Sequence, residues 1–245
     1  NDNAAEALIT SQPVLSFPFG IVVDGDRALV TEVGLQAVLT VDLVSGDRAV
    51  LSGPSHGSGP PLLSPEGIVL DGNRALVADF SAGALVGVDL LTGNRTVLSD
   101  STTGSGPTLA GAAAVVLDGS RALVTSIDLD AVVAVDLANG NRSIVSGPSI
   151  GTGPDFISPQ GIVIDGARAL VAEPGLSSII AVDLATGNRT VLSDASNGTG
   201  AALQSPSGLL IESTRLIVTD LVGTLLAVDI FSGDRTVLAS SSIDA

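Results

Sequence analysis

The sequence contains no cysteine, methionine, tryptophan or tyrosine, and its only aromatic side chains are five phenylalanines. Without cysteine, no disulfide framework can form and no thiol nucleophile is available. The core must be built mainly from Val, Ile, Leu and Ala, which suits thin and closely packed sheets. The absence of readily oxidised side chains fits a long-lived extracellular or secreted protein. The first residue is Asn1, which we interpret as the start of a mature chain after signal removal.

Positive charge is also scarce. Ten arginines stand against 26 acidic residues, and the net charge is −16. This balance argues against nucleic acid, whose phosphates require a basic surface, and against anionic membrane surfaces. No apolar run approaches the roughly 20 residues of a membrane-spanning helix. We therefore expect neither a nucleic-acid partner nor a membrane span, and cations, basic proteins or other copies of the chain remain as partners.

What the chain does contain is a repeat of 47 residues. One acidic position recurs at this interval, as do two arginine positions. The acidic residues are Asp24, Asp71, Asp118, Asp165 and Glu212. The arginines are Arg27, Arg74, Arg121, Arg168 and Arg215, and Arg48, Arg95, Arg142, Arg189 and Arg235, with one interval of 46 at the end. Every positive side chain therefore occupies a repeat position.

One repeat unit predicts four short strands, which we call a to d. In the second copy, strand a is Gly67–Leu70 and strand b is Arg74–Ala78, joined by an Asp-Gly-Asn turn. Strand c is Ala84–Leu90 and strand d is Arg95–Ser99, joined by a Thr-Gly-Asn turn. β-Branched residues and regular turn signals favour strands, and no segment of adequate length shows a helical apolar period.

Tandem four-stranded units of this length are typical of β-propeller blades, which bury their faces against one another. We predict an all-β fold, a five-bladed β-propeller of four-stranded antiparallel blades within residues 18–245. A six-bladed ring with one incomplete blade is the alternative. The predicted blades are residues 18–52, 65–99, 111–146, 159–193 and 206–239. The motifs PEGIVLD, ALVAD and VDLLTGNR of the second copy resemble blades of the secreted NHL-like and YncE-like propellers.

Residues 1–17 precede the first complete copy and form a predicted N-terminal arm. The stretch Ala7, Leu8, Ile9 and Thr10 resembles strand d of the first blade, Ala49–Ser52. The chain therefore has six candidate d strands but only five of each other type. The surplus strand could clasp the last blade, pair with a neighbouring molecule by strand addition, or stay a flexible tail.

The ends of the b strands carry acidic residues in four of the five copies. These positions are Glu32, Asp79, Ser126, Glu173 and Asp220. In a five-bladed ring they would converge near the mouth of the central channel. Four carboxylates there could hold a hard cation such as Ca²⁺ through oxygen ligands. A solvated acidic mouth without metal is the alternative.

A second set of aspartates lies four residues before a turn glycine, between strands c and d. We predict that they accept backbone N–H groups in that turn, since turn aspartates have this local mechanism. The set is Asp42, Asp89, Asp136, Asp183 and Asp229. The arginines that begin strands b and d are expected to pair with these carboxylates at the surface.

The other polar motifs are weaker indications of a functional site. His56 is the only histidine and lies in a Ser-Gly loop, and no nucleophile elbow accompanies it. Asn94, Asn141, Asn188 and Asn197 match the N-glycosylation pattern. Three of them occupy c–d turns, where Asp47 and Asp234 stand in other copies, which favours a turn role.

The nearly identical blades and the missing catalytic residues favour a non-catalytic extracellular structural or assembly protein. We expect a self-associating or filament-forming propeller subunit, joined by addition of the N-terminal strand. The alternatives are a module that binds a ligand, glycan or protein, and a metal-dependent lactonase-like or lyase-like enzyme. The predicted ring of carboxylates at the channel mouth resembles lactonase-type propellers, which hold a metal on the axis. The asparagine and the general base that accompany that metal are not recognisable here.

Overall fold

The computed structural model describes residues 12–241, which form five four-stranded antiparallel sheets. Blade one contains β1 (Pro18–Asp24), β2 (Arg27–Glu32), β3 (Ala37–Asp42) and β4 (Arg48–Ser52). Blade two contains β5 (Pro65–Asp71), β6 (Arg74–Asp79), β7 (Ala84–Asp89) and β8 (Arg95–Ser99). Blade three contains β9 (Ala112–Asp118), β10 (Arg121–Ser126), β11 (Ala131–Asp136) and β12 (Arg142–Ser146). Blade four contains β13 (Ile162–Asp165), β14 (Arg168–Glu173), β15 (Ser178–Asp183) and β16 (Arg189–Ser193). Blade five contains β17 (Pro206–Glu212), β18 (Arg215–Asp220), β19 (Thr224–Asp229) and β20 (Arg235–Ser240).

The strands in each sheet are neighbours in sequence order, so each blade is one continuous meander. The predicted five-bladed β-propeller with four-stranded antiparallel blades is therefore confirmed. Its tight a–b turns follow from local chemistry. Gly72 takes a φ of +60°, which glycine adopts without steric cost, and in blade five Ser213 takes a φ of +58°. These turns place Asp71 opposite Arg74 in the pairing of β5 with β6.

The core lies between blades. Four clusters of buried Val, Leu, Ile and Ala join blades one and two, two and three, three and four, and four and five. The two faces of an inner blade enter different clusters, because successive side chains of a strand point to opposite faces. In blade four, for example, Val171 packs towards blade three and Leu170 towards blade five. Both faces of the inner blades are thus buried.

The packing between the innermost strands is not the same all round the ring. β1 packs on β5, β5 on β9, β9 on β13, and β13 on β17. Within residues 12–241, β17 has no comparable packing with β1. Large apolar side chains are exposed on both of these strands, among them Ile21 and Leu210. A gap therefore separates blade five from blade one.

The described part of the chain begins at Gln12, which contacts the c–d turn of blade one. The Gln12 side chain donates to Asp47 Oδ1 at 2.6 Å and accepts from the backbone N of Arg48 at 3.1 Å. The predicted strand Ala7–Thr10 lies outside the described residues. Over the described part of the chain, no helix is long and apolar enough to cross a membrane.

Candidate functional site

The five innermost strands line a channel along the axis of the propeller. The cavity has a volume of about 370 Å³ and extends towards the gap between blades five and one. Most of its wall is apolar or backbone, and three polar side chains, Gln160, Ser207 and Thr219, line it as well. The channel can therefore accept a small, largely apolar ligand with a few hydrogen-bonding groups.

Glu66 is the acidic residue of strand β5 beside this channel. It occupies the repeat position at which Phe19, Ala113, Gln160 and Ser207 line the cavity. Burial, and then the nearby charge of Asp79, raises the pKa of Glu66 to about 7. The carboxyl therefore changes protonation near neutral pH, unlike an ordinary glutamate.

The acidic residues at the ends of the b strands are buried and bonded within their own blades. Asp79 accepts from the backbone N of Leu63, Ser64 and Ala82 at 2.7, 2.9 and 3.1 Å. Glu32, Glu173 and Asp220 make the corresponding bonds in blades one, four and five. Each carboxylate ties the loop before its blade to the loop that follows strand b.

Ser126 takes the same position in blade three and donates to Ala110 O.

Burial raises the pKa of Glu173 above its ordinary value, although three backbone N–H donors act in the opposite direction. Across residues 12–241, no three His, Asp or Glu side chains are grouped so that they could hold a metal ion. Calcium binding by Glu32, Asp79, Glu173 and Asp220 stays a prediction, and the geometry gives it no support.

The aspartates between strands c and d cap their turns. Oδ1 of Asp183 accepts from the backbone N of Ala185 and Thr186 at 3.1 and 2.7 Å, and from Thr186 Oγ1 at 2.8 Å. The Thr186 hydroxyl and N–H lower the pKa of Asp183 below its ordinary value. Backbone donors in the same turn bond the other members, Asp42, Asp89, Asp136 and Asp229.

The arginines that begin strand b do not pair with these turn aspartates. Arg27 instead bonds Asp24 across the a–b turn, with 2.7 Å between Nη2 and Oδ2. The same pair, three residues apart, recurs in blades two to five. The predicted partner was therefore wrong. Arg74, for example, lies opposite both Asp71 and Asp89 in the sheet, but the Asp89 carboxylate accepts N–H groups of its own turn instead. Such part-exposed pairs contribute about 0–1 kcal/mol each.

The location of the arginines that begin strand d was also predicted wrongly. They were expected at the surface, but Arg189 is only 4% exposed. Its Nη1 donates to Ser146 Oγ, Gly147 O and Ile150 O at 2.9, 3.1 and 3.0 Å, and its Nε donates to Pro154 O. All four acceptors belong to the end of strand d and the following loop of the preceding blade. We call this arrangement the interblade clasp.

The clasp recurs at Arg95, Arg142 and Arg235, each of which bonds a serine hydroxyl and loop carbonyls of the blade before it. The serines Ser52, Ser99, Ser146 and Ser193 also donate to a glycine carbonyl in the c–d turn of the next blade. The signal in the sequence was a strand-d serine 42 or 43 residues before each arginine.

The remaining polar motifs lie in loops. His56 is exposed in the loop after β4, where its backbone O accepts from Arg95, so the clasp uses its main chain. The Asn94 side chain accepts from Ser58 N and Oγ, and Asn141 and Asn188 bond the corresponding loops of blades two and three. These three asparagines connect neighbouring blades.

No family model matches the chain, and no curated protein matches it. Similarity is found among solved structures. The nidogen/laminin complex contains a chain that is 20% identical, with a TM-score of 0.68 over 87% of this chain and 76% of that one. A streptogramin B lyase is 13% identical, with a TM-score of 0.66 over 93% and 70%. The computationally designed Ika8 protein is 12% identical, with a TM-score of 0.54 over 91% of this chain and 60% of that one. At these identities the likeness concerns the fold, and the chain is a β-propeller built from tandem repeats.

Proposed function

We propose that this β-propeller is a non-catalytic extracellular assembly protein that binds other copies of itself through its N-terminal strand. One observation carries the proposal. Every described sheet already takes all four of its strands from one continuous segment, so none of the five needs Ala7–Thr10. A segment with a strand pattern and no vacant place in its own blades is suited to strand addition on another molecule.

The acceptor that fits best is β20, the outermost strand of blade five. Its side chains Val237 and Leu238 are 49% and 43% exposed, whereas Leu192 at the position of Leu238 in blade four is 9% exposed. An outermost strand can accept a further strand along its outer edge. Backbone pairing there would add affinity, and the exposed apolar side chains would add contact area.

The distribution of polar residues supports a non-catalytic role. The b-strand carboxylates, the turn aspartates and four of the d-strand arginines are bonded in the same way in successive blades. The chain in the nidogen/laminin complex belongs to a protein–protein complex, which is consistent with a binding role for this fold. A metal-dependent lactonase or lyase would need carboxylates that are free to bind metal, and the b-strand carboxylates are occupied by backbone groups.

Native mass tests the proposal. We expect light scattering of the purified chain to give particles well above 24.2 kDa and negative-stain microscopy to show ordered assemblies. Deletion of residues 1–11 should leave a folded monomer, because the shortened chain begins at Gln12 and keeps the bonds of Ser16 and Phe17 with Glu32.

A proline pair provides the matched control. Ile9→Pro removes a ladder donor from the predicted strand and should reduce assembly, whereas Asn3→Pro, outside that strand, should not. A monomer at all concentrations, or assemblies that are unchanged by the deletion and by Ile9→Pro, would refute strand addition.

The axial channel supports a second candidate function, the binding of a small ligand. Its volume, its apolar wall and the polar groups of Gln160, Ser207 and Thr219 are typical of a ligand site. Thermal-shift screening against small apolar alcohols and lactones should identify compounds that stabilise the protein. Stabilisation that is lost in Gln160→Ala but kept in Gln36→Ala, a variant outside the channel, would place binding there.

A further inference from the structure

Blade five has an apolar face with no blade packed on it. Leu210, at the position of the half-buried Val163, is 63% exposed. Thr219 is exposed, although the same position is fully buried in the other four blades, as Thr31, Ala78, Thr125 and Ala172. In blades one to four these positions face the next blade. The forward face of blade five is therefore built for a neighbour.

Blade one has the complementary open face. Ile21 is 67% exposed, whereas its equivalents Ile68, Val115 and Ile162 are 8%, 6% and 6% exposed. Val23 and Leu43, which face the same way, are also exposed, while Val30 and Leu39 deeper in this face are buried. The open part is thus the edge along β1 and the c–d turn.

The clasp is incomplete at the same place. The equivalent of Arg189 in blade one is Arg48, and its only described hydrogen-bond partner is the side chain of Gln12. A Cβ on Gly46 in the same turn would meet no atom of residues 12–241 within 4 Å. In blades two to five, a Cβ on the corresponding glycine would meet the backbone of the preceding strand d, as Gly93 would meet Leu51 O. Among residues 12–241, no strand d and following loop precede blade one as they precede the other four.

We propose that the gap between blades five and one binds a further sheet of this same repeat, a sixth blade carried on a second polypeptide. A sheet of this repeat has two features that fit the gap. Its back face is apolar and would pack on Leu210 and Thr219, and the carbonyl groups of its d–a loop would accept hydrogen bonds from Arg48. The five described sheets already occupy their places in the ring, so none of them can fill the gap. A whole second copy would bring four more blades around the same axis, into space that the first copy fills.

Blade five also differs from the others in one residue at this interface. Ala239 stands where Ser52, Ser99, Ser146 and Ser193 serve the clasp. The incoming blade would find no hydroxyl at that position. This difference supplies a gain-of-function variant, because Ala239→Ser would restore a donor to the incoming turn and an acceptor for its arginine.

The experiment mixes the full chain with a recombinant probe made of residues 159–205, which contain blade four and the loop that clasps Arg235. We expect a 1:1 complex by light scattering, a thermal midpoint raised by roughly 5 °C or more, and slower amide exchange at Ile21 and Leu210. Leu210→Asp should weaken binding at least tenfold, and Ala239→Ser should strengthen it. Leu91→Asp, an exposed c–d turn change in blade two, is the control that should have no effect.

Three outcomes would overturn the proposal. Exchange at Ile21 and Leu210 that is already slow in a monomer, and becomes fast after deletion of residues 1–11, would mean that the chain fills its own gap. Slow exchange only in a homodimer would assign the gap to a second copy. The probe alone could also fail to fold, so we would fuse it ahead of Gln12 through its own loop. Exchange at Ile21 and Leu210 that stays fast in this fusion would likewise exclude a sixth blade.

The test is separate from that of the proposed function. Strand addition by Ala7–Thr10 is measured through native mass and proline substitution, whereas the sixth blade is measured through binding of the probe and exchange at the gap. Either proposal can fail while the other stands.

Discussion

Removal of one interblade arginine should destabilise this propeller more than removal of any surface charge. We consider Arg189→Ala, with Arg48→Ala as the matched control at the same repeat position. Arg189 is buried and bonds the hydroxyl of Ser146 and three backbone carbonyls of the preceding loop. The Arg48 side chain makes one hydrogen bond within the described residues, from Nε to Gln12 Oε1 at 3.4 Å. The two variants remove the same residue type and differ in the clasp, together with the contacts of Arg189 to the exposed Asp155 and to the Phe156 ring.

The expected magnitude follows from these partners. A hydrogen bond to a charged group contributes about 1.5–3 kcal/mol, and buried acceptors left without a donor cost about 1–3 kcal/mol each. Water can enter the space left by the side chain and offset part of this cost. We expect Arg189→Ala to lower the free energy of unfolding by about 3–5 kcal/mol, and Arg48→Ala by about 0–1 kcal/mol.

Chemical unfolding in urea, followed by far-UV circular dichroism, measures the difference, since the chain has no tryptophan or tyrosine to report by fluorescence. A third variant, Arg189→Lys, keeps the charge but loses the planar fork, and should lie between the other two. Equal free energies of unfolding for Arg189→Ala and Arg48→Ala would refute the argument that the clasp stabilises the contact between blades.

Three further changes test other parts of the molecule. Asp79→Ala should lower stability by about 2–4 kcal/mol because it removes three charge-assisted hydrogen bonds of a buried carboxylate to loop N–H groups, and Ser126→Ala, which removes one bond, by about 1 kcal/mol in the same urea titration. Glu66 has a folded-state pKa of about 7 against an ordinary 4.5, so its contribution is complete below pH 4.5 and is lost as the pH rises through 7. Glu66→Gln should remove that slope and, after allowance for solvent screening, stabilise the protein at pH 8 by about 1–2 kcal/mol, and a wild-type slope in the variant would contradict this. Excess Ca²⁺ or EDTA should leave the thermal midpoint unchanged because the b-strand carboxylates are already bonded, and a rise with Ca²⁺ would restore the calcium hypothesis.

The features that sequence predicted well are those fixed by local interactions. The interval of 47 residues and the turn signals determine strands such as β5 to β8, and five copies of them determine the number of blades. The contacts of Asp183 reach only two or three residues along the chain, so a turn pattern is sufficient to assign them.

The contacts that sequence did not predict join distant segments. Asp79 bonds N–H groups 15 and 16 residues earlier, so its carboxylate points into its own loop, although strand position alone suggested the channel mouth. Arg189 bonds a serine 43 residues away in another blade, and pairing by charge alone led to the wrong partner. The gap has no signal of this kind, because Ile21 and Ile68 occupy the same repeat position and differ only in what packs on them.

The interblade clasp also links the folding of the blades to the order in which they are synthesised. In each pair, the loop that receives the arginine is translated before the arginine, so a nascent blade leaves the ribosome to meet a finished receptor. A chain that stops after Ser193 keeps Arg95, Arg142 and Arg189 in their clasps, whereas a chain that starts at Pro65 presents Arg95 without the loop of residues 53–60. Truncation from the two ends is therefore unequal, and growth from the N-terminus brings Arg95, Arg142, Arg189 and Arg235 each to a loop that has already been made.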